Sequence, residues 1–357
     1  MSYYIMPKNN TVVHVTPLHD EEEILIPYLS HSLYHYYNKS RNEIENAFLN
    51  NADLSYNFFE ELIKIVNPCE YIFSVVPGFN VPVCKLTPRS NLFFDFLEVS
   101  TTTNLFDTFK NNPVKTLHIT PNYNDTIECF KLFREKLDDE FVYYDEINEN
   151  NLKEIEKTQF NFIFIEVDLN HFKNYVKNLL ECLMIIYKNQ HSNGTCVIKI
   201  NHNFHKPVVD TLYILSTLYE TVYVLKPTSS NIISFNKYIV CKNLKKNTDK
   251  NVQFKWNYYR ILIFLKKMQD KNIVSFLDFD IPIYFLTKID DMNNTLGQQQ
   301  LESLDLIINL IKNKNKEDKI QTIKKYHIQK SISWCEKHKM PCNRFIEKIN
   351  IFLPTNA

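Results

Sequence analysis

Gly194-Thr195-Cys196-Val197-Ile198-Lys199-Ile200, continued by Thr221 to Leu225, Lys226-Pro227-Thr228-Ser229-Ser230 and Lys237 to Lys242, is the stretch that decides the fold. Thr195 to Ile200 is a short apolar run opened by a glycine that breaks the preceding segment, and it reads as a buried strand. Pro207 stands where the first turn of a helix tolerates it, and Val208 to Leu218 continues with helical spacing. Thr221 to Leu225 and Lys237 to Lys242 read as two further strands. The loop between them is too short for a crossover helix, so this last pair is expected to be antiparallel.

Upstream the rhythm is regular. Asn124 to Leu137 has helical spacing, Glu140 to Tyr144 alternates like a strand, and Glu149 to Lys157 is a short helix. Phe160 to Val167 is a nearly continuous apolar run, as expected of a strand covered on both faces, and Phe172 to Tyr187 is an amphipathic helix. Nearer the start, helices are expected over Ile24 to Tyr37 and Asn57 to Val66, the second ended by Pro68. Tyr71 to Val76 reads as a short buried strand followed by a Pro77-Gly78 turn, Leu92 to Val99 as a helix, and Thr116 to Thr120 as a strand. Strands alternating with helices and closing on an antiparallel pair predict an α/β fold: a Rossmann-like, mostly parallel sheet with helices on both faces and its last strand antiparallel. Beyond Lys250 long helical stretches take over, roughly Trp256 to Lys271, Gly297 to Asn313, Lys319 to Lys337 and Pro341 to Ile351, with Phe276 to Leu286 as an irregular or short-strand connector. The expected organisation is an N-terminal helical or irregular region over 1–67, a main domain over 68–250 and a helical C-terminal extension over 251–357.

Composition narrows the function. The 357 residues carry 41 basic and 41 acidic side chains, so no overall positive field draws in nucleic acid and any such contact needs a local patch. Only three glycines occur, at 78, 194 and 297, which excludes a glycine-rich phosphate loop of the GxGxxG or P-loop type. The eight cysteines are scattered and several fall inside apolar runs, the pattern of buried thiols in a reducing compartment. Cys335, His338 and Cys342 form half a metal-ligand pattern with no second pair nearby in sequence, so no metal is expected. The start lacks the apolar core of a signal peptide, and no apolar run approaches the roughly 20 residues that span a bilayer. A cytosolic protein with no membrane association is expected.

The text from Gly194 to Asn243 resembles the last part of an FtsJ-like RNA ribose 2'-O-methyltransferase domain, in a branch found in large DNA viruses. Gly194 to Ile200 resembles the family's strand that ends in its central catalytic lysine, and Lys226-Pro227-Thr228-Ser229-Ser230 resembles its KP-x-S-S-R element. Lys206-Pro207, the following helix and Tyr238-Ile239-Val240-Cys241 match in order and spacing. The resemblance implies a class I methyltransferase sheet, S-adenosyl-L-methionine as donor and RNA as substrate, with capped mRNA one form of it. It also implies other viral proteins as partners, and the host cytoplasm or the virion as location. It places Lys199 as the group that orients and deprotonates the 2'-hydroxyl, supported by Glu166, which stands where the family's catalytic aspartate closes its strand, and by Lys226. Lys64 is the candidate for the first lysine of the Lys-Asp-Lys-Glu catalytic tetrad that the resemblance implies. The donor would be met by Pro77 and Gly78 after the first strand, and its adenine by Asp145 or Glu146.

The chain departs from the pattern at several points. Asn231 stands in place of the arginine and Asn236 in place of the closing glutamate, and an asparagine cannot hold the negative charge that sets a lysine's protonation. Phe73 to Phe79 offers one glycine and no acid, and Thr120-Pro121 no carboxylate. Two readings stay open: a donor-dependent RNA 2'-O-methyltransferase, weakened by these changes, or a catalytically silent pseudoenzyme acting as an RNA-binding, structural or regulatory subunit. For RNA, basic and aromatic residues interleave from Tyr34 to Arg41, and a basic run spans Lys242 to Lys250, whereas Lys312 to Lys325 reads as a solvated helix face.

Overall fold

The computed structural model describes residues 3–21, 26–49, 56–167, 171–245, 251–268, 271–312 and 317–343. Its strands are β1 (Tyr3–Ile5), β2 (Leu18–Asp20), β3 (Lys115–Ile119), β4 (Glu140–Tyr144), β5 (Phe160–Glu166), β6 (Gln190–Ile200), β7 (Tyr219–Leu225), β8 (Lys237–Leu244) and β9 (Asn272–Ser275). Its helices are α1 (His31–Leu49), α2 (Tyr56–Val66), α3 (Leu92–Thr103), α4 (Tyr123–Arg134), α5 (Glu149–Ile155), α6 (Phe172–Asn189), α7 (Lys206–Leu218), α8 (Asn251–Lys267), α9 (Ile283–Lys312) and α10 (Glu317–Lys337).

Seven strands form one sheet in the order β1-β7-β8-β6-β5-β3-β4. β3 pairs in parallel with β4 and β5, and β5 with β6. β8 lies antiparallel between β6 and β7, so β7 runs with the parallel set, and β1 closes the β7 edge in the opposite direction. This is the Rossmann-like, mostly parallel sheet with an antiparallel last strand expected from the late strand pair, with an N-terminal strand added.

β5 shows how the sequence fixes the layers. Ile163 and Ile165 face a core built with α6 and α7, while the alternate residues Phe162 and Phe164 face a second core containing Phe96, Phe109 and Phe130 of the α3–α4 side. All of these side chains but Phe109 are essentially inaccessible, and each such burial is worth about 1.5–3 kcal/mol. A charge in the middle of β5 would therefore be buried whichever face it took. The flanking regions meet one another: α1 and α2 pack on α9, and β2 pairs with β9.

Several local expectations are corrected. Of the helix expected over Ile24 to Tyr37, Ile24 and Leu25 lie outside the described residues, and the helix begins at His31, after Pro27 and after Ser30, whose φ of 55° breaks a helical run. Tyr71 to Val76 is no strand. Glu70 accepts from Asn67 Nδ2 at 2.9 Å and from the Ser74 hydroxyl, folding the segment into a single 3-10 turn over Glu70–Ile72. The first strand of the parallel set is therefore β3. Gly297 does not open a helix but lies inside α9, where an added Cβ would come within 2.3 Å of the Leu33 side chain of α1. Pro341 to Asn343 is extended against Val83 to Lys85, and the rest of the expected last helix lies outside the described residues.

Gly194 sits within β6 rather than before it. The sharp turn in the strand is taken by Asn193, at a φ of 59°, and a Cβ on Gly194 would stand 2.8 Å from the His191 carbonyl and 2.9 Å from that of Asn161. Both obstacles are backbone and cannot swing away. Gly194→Ala is expected to cost about 1–3 kcal/mol, measured as a lowered denaturation midpoint, because strand spacing must yield.

Candidate active site

Chain direction across the sheet reverses at β3. From β3 the path runs outward through α4 to β4, then returns through α5 to β5 on the other side. In such sheets ligands bind outside the carboxyl ends of the strands at this reversal. The residues there are Thr120 after β3, Asp145 after β4, Glu166 ending β5 and Lys199 near the end of β6.

Glu166 and Lys199 are register partners on adjacent parallel strands, so their side chains rise on the same side of the sheet. Lys199 Nζ donates to Glu166 Oε1 at 2.5 Å, and the Thr120 hydroxyl donates to Oε2 at 2.5 Å. The lysine and glutamate side chains are each 17% exposed. The pair is thus sheltered yet reachable. Asp95, from α3, is buried close enough to Lys199 to feel its charge, and it accepts from Ser229 Oγ at 2.6 Å and the Tyr238 hydroxyl at 3.1 Å. Burial pushes its carboxyl up to about 6, against the Ser229 hydrogen bond and the Lys199 charge.

Because this pKa lies above its ordinary 3.8, the folded chain holds a proton that the unfolded chain releases between about pH 4 and 6. Stability should fall as the pH rises through that window. Asp95→Asn should flatten the fall, as read from urea midpoints at several pH values.

The other sequence candidates divide. Lys226 is buried, and its ammonium donates to the carbonyls of Asn231 at 2.9 Å, Ser234 at 2.6 Å and Asn236 at 3.4 Å. Burial pushes it down to about 7, and it ties together the loop of residues 226–236 as a positioning group. Lys64 is exposed on α2, the helix packed against α9 and α10, and takes no part in the described hydrogen bonds around Lys199. Pro77 and Gly78 lie in a turn outside the sheet, Gly78 with a φ of 83° and open space around its missing Cβ. The position after the first parallel strand belongs instead to Thr120-Pro121-Asn122, where the Thr120 N–H is bonded to the Tyr144 carbonyl at 3.0 Å. Asp145 is exposed at the end of β4 and lines a cleft of about 490 Å³ with Tyr123, Tyr143, Glu146 and Asn148. Tyr123 and Tyr143 stack at 4.3 Å, 17° from parallel. Asp168, the other acid that follows the strand ending in Glu166, lies outside the described residues.

Sequence reasoning missed Asp95 and also Lys237. Lys237 is fully buried between Phe204 and Phe235, donates to Asn203 Oδ1 at 3.0 Å and is pushed down to about 7 by burial. Its only sequence signal is its place at the head of an apolar strand. In α1, Tyr34 packs on Phe204 and His205 and Tyr37 on Phe235, while His35, Tyr36, Lys39 and Arg41 face solvent. Lys242 donates to the Thr103 and Asn104 carbonyls, and 246–250 of the basic run lie outside the described residues. No three described His, Cys, Asp or Glu residues are grouped as metal ligands, and no described helix is long and apolar enough to cross a membrane.

No protein-family model and no curated protein matches the chain. Among solved structures it is similar to phosphoethanolamine N-methyltransferase 2 of Haemonchus contortus in complex with phosphomonomethylethanolamine and S-adenosylhomocysteine, at 13% identity and a TM-score of 0.29, over 49% of each chain. A probable spermidine synthase from Corynebacterium glutamicum matches at 8% identity and a TM-score of 0.31, over 57% of this chain and 88% of that one. The chain spans about half the length of the Haemonchus enzyme. Likenesses this slight carry no argument about chemistry. The strand order and directions carry the fold.

Proposed function

We propose that the chain is an S-adenosyl-L-methionine-dependent methyltransferase acting on an RNA ribose 2'-hydroxyl. The observation that carries this reading is the Lys199–Glu166 pair, standing with Thr120 on the carboxyl ends of β6, β5 and β3 at the reversal point of the sheet. When bound, the donor supplies a methyl group made electrophilic by its sulfonium. The cleft beside Asp145 fits its nucleoside half, with a carboxylate for the ribose hydroxyls and tyrosine rings for the base, in a volume within the usual range for small-molecule sites. Lys199 holds the attacking oxygen by donating a hydrogen bond, and the Lys199–Glu166 pair takes the hydroxyl proton as the oxygen–methyl bond forms. Thr120 keeps the carboxylate aimed at the lysine.

RNA would approach along α1, whose aromatic contacts with Phe204 and His205 set it beside the end of β6 and leave Tyr36, Lys39 and Arg41 facing solvent for stacking and phosphate contacts. Capped mRNA in the host cytoplasm or virion of a large DNA virus is the substrate and setting that the FtsJ-like resemblance implies, with other viral proteins as partners.

One observation favours the second reading, a catalytically silent RNA-binding subunit: the turn after β3 carries Thr120, Pro121 and Asn122 and no glycine, so side chains stand where a backbone approach to the donor is usual. Titration calorimetry with S-adenosyl-L-methionine separates the two. Micromolar binding weakened about tenfold by Asp145→Ala, a loss of about 1.4 kcal/mol, supports the enzyme; no heat at millimolar donor supports the silent subunit.

A further inference from the structure

Three of the eight cysteines, Cys84, Cys335 and Cys342, are brought together by the fold. Cys84 follows the Pro77-Gly78 turn, and Cys342 follows α10. The two are directly opposed in an antiparallel bridge. The flanking hydrogen bonds run from Lys85 N to the Pro341 carbonyl at 2.8 Å and from Asn343 N to the Val83 carbonyl at 3.0 Å. Cys84 and Cys342 are therefore a non-hydrogen-bonded pair, the kind in which opposed Cα atoms lie about 4.5 Å apart with side chains adjacent, within the span a disulfide bridges. Cys335, in the last turn of α10, is buried against both, its thiol within interaction range of the Cys84 and the Cys342 sulfur.

The geometry points to a redox modification site, in which peroxide oxidises Cys342 and Cys84 closes a disulfide with it. Cys342 is half-buried and is the entry, whereas Cys84 and Cys335 are inaccessible. The Cys342 thiol reduces peroxide to water and becomes a sulfenic acid. The Cys84 sulfur then attacks the sulfenyl sulfur: the S–S bond forms, the S–O bond breaks, and hydroxide leaves with the Cys84 proton as water. Two thiols and one peroxide give one disulfide and two waters. The Cys335 hydrogen bond holds the Cys84 thiol below its ordinary range, whereas the Cys84 contact and burial push Cys335 up, so Cys335 stays a thiol donor and Cys84 is the attacking sulfur.

The bond would pin the end of α10 to the segment leading into α3. α10 already reaches the loop of residues 227–230 through Trp334, whose Nε1 donates to Glu98 Oε2 at 2.8 Å, and Glu98 in turn binds Thr228 and Ser229. Oxidation would thus fix the helix that buttresses this loop.

The test is non-reducing peptide mapping by mass spectrometry of the full chain after hydrogen peroxide treatment. The expected product is a Cys84–Cys342 linked peptide that dithiothreitol reverses. In Cys84→Ser, which keeps the size of the side chain, dimedone should trap a sulfenic acid on Cys342. A dominant Cys84–Cys335 link, over-oxidised Cys342 without a link, or unreacted thiols at all three positions would each overturn the proposal.

Discussion

Lys199→Ala is expected to lower methyl transfer to RNA by about a hundred- to ten-thousand-fold, the range typical of losing a positioned acid–base group. The alanine removes the only described hydrogen bond from an ammonium to Glu166 and leaves that carboxylate with Thr120 alone. The fold should survive, because both partners keep some access to water and Glu166 is not stranded in an apolar core. Donor affinity should change by no more than about twofold, since the cleft beside Asp145 is built on other strands, so the loss falls on turnover. Lys199→Arg keeps a charge but cannot give up its proton at neutral pH, and it should rescue stability without rescuing transfer. Single-turnover assays at saturating donor measure the loss. Transfer within about threefold of wild type in the alanine variant would make Lys199 a structural strand-end charge.

The largest stability effect is expected at Glu98, where Glu98→Ala should cost about 3–5 kcal/mol. This carboxylate is fully buried on α3 and accepts from Thr228 N at 3.0 Å, Thr228 Oγ1 at 2.8 Å, Ser229 N at 3.1 Å and Trp334 Nε1 at 2.8 Å. Alanine would leave two peptide N–H groups, a hydroxyl and an indole N–H facing one another across an apolar gap. Urea unfolding followed by tryptophan fluorescence reads the loss directly, because Trp334 is one of the four donors. Glu98→Gln keeps one good acceptor and should fall between the two. The damage should also reach the candidate site, since Ser229 holds Asp95 and Asp95 faces Lys199.

The sheet was legible where local signals agreed. Phe160 to Val167 is apolar throughout because β5 is covered on both faces, and Lys237 to Lys242 had to return antiparallel because its connection was too short for anything else. Glu166 and Lys199 were singled out by the resemblance of their two strands to the FtsJ-like pattern, and the pairing of β5 with β6 makes them register partners. The first strand was not legible. Tyr71 to Val76 has the composition of a strand, yet Glu70 folds it locally, so that β3, itself expected as a strand over Thr116 to Thr120, takes the first place in the parallel set. That single displacement moved the expected donor turn from Pro77-Gly78 to Thr120-Asn122. Asp95 and Glu98 could not be read at all, because acids one turn apart on a helix look like a solvated face, and only the docking of the Thr228-Ser229 loop and Trp334 buries them.

In the proposed reaction the sheltered Lys199–Glu166 pair deprotonates a ribose hydroxyl. The most direct test is transfer of labelled methyl from S-adenosyl-L-methionine to a capped RNA oligonucleotide, followed by nuclease digestion and mapping of the label. The expected result is label on ribose oxygen, absent when the acceptor nucleotide is replaced by its 2'-deoxy form and absent with Lys199→Ala. Label on a base, or RNA that stays unlabelled while the protein binds the donor, would contradict it.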